Sequence, residues 1–111
     1  MTVAFDHDYL VIGSGFSFHN LTAFEWEETG RPDPENDAFQ DWLIETCTAA
    51  LPQVERERRL LEWEKAPAAR YCHPREEHLL PLHVCAGMAQ KPAKIIFDDQ
   101  ILGKRGVAFL W

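Results

Sequence analysis

Five histidines, His7, His19, His73, His78 and His83, are the side chains best suited to proton transfer or metal ligation near neutral pH in this 111-residue chain. His19 stands directly after an apolar run and a glycine turn, Tyr9-Leu-Val-Ile-Gly13-Ser-Gly15. In α/β sheets that is where side chains reach the crevice at the carboxyl ends of strands. His78 lies in Pro74-Arg-Glu-Glu-His78-Leu-Leu-Pro81, with proline and two acids ahead of it as at a helix start. His83 is five residues on and points elsewhere on a helix, so a His78/His83 metal pair at the usual four-residue spacing is excluded. Cys72, His73, His78 and Cys85 do not have zinc-finger spacing. The alternative they leave open is a small zinc site using Cys72 and His78.

The elements that would hold these residues follow from the hydrophobic pattern. Asp8 to Gly13 reads as a strand covered on both faces in a parallel sheet. Gly13-Ser-Gly15-Phe16-Ser17-Phe18 resembles a dinucleotide fingerprint only in part, because Phe18 occupies the third glycine position. Glu25 to Asp41 carries seven acids and two prolines and reads as a solvated loop running into a helix start. Asp33-Pro34-Glu35 predicts that start, and Phe39, Trp42, Leu43, Thr46, Cys47, Ala50 and Leu51 give its apolar stripe. Pro52 opens a second helical stretch with Val54, Leu60, Leu61 and Trp63 inward and the charge run Glu55 to Arg59 solvated. A third helix is predicted from Pro74, bent at Pro81, which leaves the Glu77 carbonyl without a donor. Ile95 to Phe97 and Val107 to Trp111 read as two strands joined by a loop.

The whole is one α/β domain over residues 1–111, with a partial mixed sheet and about three helices. Eleven basic against eighteen acidic residues leave a net charge of −7, which repels a phosphate backbone and excludes general nucleic-acid or anionic-membrane binding. No apolar run approaches the roughly 20 residues of a membrane helix, and Met1-Thr-Val-Ala-Phe-Asp6 lacks the basic start and apolar core of a leader. Three cysteines without framework spacing suit reduced thiols. The expectation is a cytoplasmic chain.

Two segments carry a resemblance. Gly13-Ser-Gly-Phe-Ser-Phe-His19-Asn20-Leu21, followed by His73-Pro-Arg-Glu-Glu-His78-Leu-Leu-Pro-Leu82, resembles the C-terminal part of the class III extradiol ring-cleavage dioxygenases. The similar branch is the one with 4,5-DOPA dioxygenase-like proteins. The resemblance implies a non-heme Fe(II) enzyme, with zinc in some isolated forms, that opens catechol-type rings with dioxygen. It implies that His78 is a metal ligand and that His19 is the acid/base group near the substrate, close enough to approach the metal. His73 would contact substrate or orient the helix start. Neutral imidazole suits iron or zinc, and an ordinary pKa of about 6.5 suits proton exchange with a catechol. Members of that family are longer, and their amino-terminal half supplies two further histidines that have no counterpart here. A homodimer or a complementary subunit is therefore expected to complete the site. The competing reading is a non-catalytic protein-interaction module built on the same fold.

Overall fold

A computed structural model describes residues 10–24 and 31–111. Helix α1 spans Pro34–Thr48 and begins as its sequence dictates, with the Asp33 carboxylate accepting from the Asn36 amide at 3.1 Å and Pro34 in the first turn. α2, Gln53–Leu61, follows the break at Pro52, and a 3-10 turn covers Trp63–Lys65. α3 is the short Ala69–Cys72 and α4 is Leu80–Ala89. Strands β1, Lys94–Ile101, and β2, Lys104–Leu110, form an antiparallel hairpin. Its two-residue turn holds Leu102 and Gly103 at φ 52° and 76°, the positive-φ pair that matches the twist of the strands. A bulge at Ile96 shifts the register between Ile95↔Phe109 and Phe97↔Ala108.

The fold is α/β, and three details differ from expectation. The helix assigned to Pro74 onward starts at Leu80, with a turn over residues 74–79 before it. Pro81 then sits in a first turn, where its missing amide costs nothing, so it starts the helix instead of kinking it. The sheet of the described residues is a two-stranded antiparallel one, not a mixed one. Residues 10–13 form no strand in it, since no strand among the described residues pairs with their backbone groups, and Leu10 and Ile12 are 84% and 79% exposed. Residues 8 and 9 of that predicted strand lie outside the described residues, as do His7 and Trp26. α2 differs in what it buries: Val54 and Leu61 are exposed while Arg56 is buried. Arg56 donates to the Thr46 carbonyl at 3.1 Å, to the Ala49 carbonyl and to Gln53 Oε1 at 2.8 Å, so one cation serves the orphan carbonyls that end α1.

The core lies between α1, the segment Ser17–Phe18, the stretch from Trp63 to Cys72, and β2. Phe18, Phe39, Leu43, Trp63, Cys72 and Leu79 are its fully or almost fully buried members. Phe18 meets Phe24 edge-on at 5.2 Å and Tyr71 at 5.8 Å. Asn36 Nδ2 ties α1 to β2 through the Arg105 carbonyl at 2.9 Å. β1 is exposed along its whole length, including Ile95, Ile96, Phe97 and Ile101. No helix among the described residues is long and apolar enough to cross a membrane.

Candidate active site

The glycine turn is explained by what it touches. A Cβ on Gly15 would stand 2.2 Å from the His78 carbonyl oxygen, and one on Gly13 would stand 2.7 Å from Cys85 Sγ and 2.9 Å from the Pro81 carbonyl oxygen. The glycines let the backbone before His19 lie against the backbone that carries His78 and opens α4, which no residue with a side chain permits. Close packing, not phosphate binding, accounts for Gly-Ser-Gly.

That approach brings His19 and His78 together. Their rings stack with centroids 3.6 Å apart and planes inclined by 16°. His78 is exposed and His19 half-buried. Each imidazole nitrogen presents its lone pair in the ring plane, about 2.0–2.1 Å from a zinc ion it would hold. Two nearly parallel planes at this separation do not meet within that reach, so the pair as arranged cannot ligate one ion together. One ring can ligate while the other lies alongside it. The expected approach of His19 to the same metal does not fit this stacking.

His19 is fixed from both sides. Its amide donates to the Cys72 carbonyl at 2.8 Å, and Asn20 Nδ2 donates to the Tyr71 carbonyl at 2.8 Å. Asn20 Oδ1 accepts from Thr22 Oγ1 at 2.7 Å, which closes the loop after the histidine. Upstream, Ser17 Oγ accepts from the Val107 amide of β2 at 2.9 Å. The segment below, residues 71–73, is anchored in turn by Tyr71 Oη, which donates to Asp33 Oδ2 at 2.6 Å beside Lys104 Nζ at 2.7 Å. Burial pushes the Asp33 carboxyl up, but the hydrogen bonds from Lys104 and Tyr71 and from the Asn36 amide outweigh it and hold the group below the ordinary carboxylate range. The Tyr71 phenol is pushed up by burial and by that neighbouring carboxylate.

His73 does not face an open site. It is fully buried between the rings of Phe39 at 5.5 Å and Trp63 at 6.3 Å, with Nε2 on the Ser17 carbonyl at 2.7 Å. A side chain so enclosed has no surface for a substrate, which corrects the expected contact. Burial lowers its pKa to about 4, against the smaller opposing effect of the Ser17 hydrogen bond. The unfolded chain takes up this proton near pH 6.5 and the folded chain only near 4, so stability is full above about 6.5 and falls as pH drops toward 4. Urea midpoints at about pH 7 and about pH 4.5 are expected to differ, with the lower value in acid, and His73→Gln should remove most of that difference. Equal wild-type midpoints would contradict the burial.

His83 is structural, with Nε2 on the Leu60 carbonyl at 2.7 Å. Cys72 lies in the core against Asn36 Oδ1 at 3.6 Å, and burial raises its thiol to about 12, far from the thiolate that zinc requires. No group of three or more His, Cys, Asp or Glu side chains able to hold a metal occurs among the described residues. A groove of about 640 Å³ runs from Leu10 and Ile12 past Gly15 and His78 to Leu110 and Trp111, so His78 borders a large and mainly apolar opening. Gln40 and Ser17, which organise the backbone before His19, carry no spacing signal in the sequence.

No family model matches the chain. It is 33% identical over 109 residues to the dioxygenase tasH of Hapsidospora irregularis, covering 91% of this chain and 34% of that protein. It is 29% identical over 94 residues to a 4,5-DOPA dioxygenase extradiol-like protein of Schizosaccharomyces pombe, covering 82% of this chain and 31% of that one. The chain spans about a third of the length of these curated relatives.

Proposed function

We propose that this relative of the extradiol-type dioxygenases contributes two side chains of an aromatic ring-opening site, His78 as one metal ligand and His19 as the proton-transferring group. The observation that carries the reading is the stacked pair at 3.6 Å, built from two segments 59 positions apart, of which His78 borders an apolar groove. Iron(II), or zinc in its place, takes three protein ligands on one face in sites of this kind. The described residues do not fit either ion unaided. The remaining ligands are assigned to a second chain, a complementary subunit or another copy, docked where the groove and β1 leave apolar surface open.

Within this chain the chemistry is proton handling and orientation. A neutral imidazole at position 19 accepts a phenolic proton from a catechol-type substrate and returns it to the product. The hydrogen bonds at and after His19 fix its backbone, and its ring lies against His78, which borders the groove where an aromatic ring leaves water. Dioxygen is the co-substrate.

Zinc titration tests the reading. His78→Ala is expected to weaken zinc binding by about tenfold or more, whereas His19→Ala, on a ring whose stacking keeps it from ligating the same ion, changes it much less. Equal zinc affinity in wild type and His78→Ala would overturn the assignment. A second reading, the non-catalytic interaction module, is favoured by the exposure of Leu10, Ile12 and all of β1. It requires that His78→Ala leave metal uptake untouched.

A further inference from the structure

We propose that His73 is a positioning residue for His19, acting with Gln40 as a two-donor clamp on the Ser17 carbonyl; the inference rests on the reading of His19 as the proton-transferring group. His73 Nε2 lies 2.7 Å and Gln40 Nε2 2.8 Å from this one oxygen. A carbonyl oxygen only accepts, so both nitrogens donate and its two lone pairs are filled. The bond fixes His73 as the neutral Nε2–H tautomer and leaves Nδ1 as an acceptor. His73 Nδ1 and Gln40 Oε1 are both buried without a partner. Buried acceptors are ordinarily satisfied, and two side chains that each leave one unpaired while donating to the same carbonyl mark a place where the fold gives up stability to hold a particular backbone atom.

That atom lies two residues before His19. The clamp fixes the chain upstream of the histidine, and the Cys72 and Tyr71 carbonyls fix it at and after the histidine. His73 belongs to the same stretch, residues 71–73, that receives those bonds, and the turn over 74–79 leads from it to His78. One buried imidazole therefore sets the spacing between both members of the pair. Gln40 is held by its own bond to Asn36 Oδ1 at 2.9 Å, which keeps the second donor aligned from α1.

The test uses nuclear magnetic resonance of the full chain near neutral pH. His73→Phe keeps the volume and removes the donor, and it is expected to abolish ring-to-ring cross-peaks between His19 and His78. The His19 amide should also exchange about tenfold faster, while the hairpin amides of β2 keep their protection. His73→Gln, whose amide nitrogen reaches about as far as the imidazole Nε2, is expected to restore the cross-peaks. Gln40→Leu removes the second donor without touching His73, and it decides the matter if His73→Phe does not fold; its expected result is weakened cross-peaks with faster His19 exchange. Cross-peaks and exchange unchanged in a folded His73→Phe, or in Gln40→Leu, would overturn the proposal. Neither readout needs a metal or a catechol, so a failed ring-opening reading would leave the wild-type cross-peaks in place and would show itself only in the zinc titration.

Discussion

Gly15→Ala is expected to lower stability by about 3 kcal/mol and to separate the His19 and His78 rings. The added Cβ would stand 2.2 Å from the His78 carbonyl oxygen, 3.0 Å from its carbon and 3.3 Å from Pro81 Cγ. Two of these are backbone atoms that cannot swing aside, so the glycine turn and the start of α4 must move apart. The stack spans this same contact and opens with it. In a domain of this size the change corresponds to a fall in Tm of roughly 15 °C. Gly87, inside α4, is the internal control, because nothing lies within 4 Å of a Cβ placed there. Gly87→Ala should stabilise by about 0.5–1 kcal/mol through helix propensity alone. Thermal melts of the two variants check the account, and a Gly15→Ala protein as stable as wild type would refute the close packing.

Lys104→Met is expected to cost about 4 kcal/mol. The Lys104 and Asp33 side chains are 8% and 12% exposed, and Asp33 Oδ2 receives both Lys104 Nζ and Tyr71 Oη. Removing the cation leaves a largely buried carboxylate with only hydrogen bonds from Tyr71 and the Asn36 amide. The double variant Asp33→Asn with Lys104→Met should recover part of the loss, since a neutral amide carries a smaller desolvation penalty. Denaturant unfolding of the single and double variants measures both effects, and additive losses would show that the pair is not coupled. The pH dependence has a definite sign. Because the Asp33 carboxyl is held below its ordinary value near 3.8, its stabilisation is present above that value and is lost only as pH falls further. The His73 contribution is lost earlier, between about pH 6.5 and 4. The loss of Lys104 also reaches the site, because Asp33 anchors Tyr71 and the Tyr71 carbonyl holds Asn20.

How far the sequence foretold this arrangement depends on whether a signal is local. The Asp33-Pro34 cap and the two tail strands are local devices, and both stand in the structure where their residues predict. The two histidine segments carried the resemblance now matched by named relatives, and they do meet. Pro81 was misleading because Pro74 and the two acids after it already read as a helix start, although a proline is as good a start signal as a kink. The charge run Glu55 to Arg59 hid Arg56, which shares the inward face with Leu60 and Trp63 at four- and three-residue spacing. What periodicity cannot supply is the identity of a distant partner. The apolar run before Gly13 reads as a buried strand whether or not a neighbouring strand exists, and nothing in the spacing of Gln40 or His73 points at the Ser17 carbonyl.

The central claim is that the two imidazoles share one place, and through-space contacts between their ring protons in the native chain test it most directly. With centroids 3.6 Å apart, strong cross-peaks between His19 and His78 are predicted, together with the His19 amide protected by its bond to Cys72. A chain that shows the β1–β2 hairpin contacts in full and no cross-peak between these rings would contradict the account.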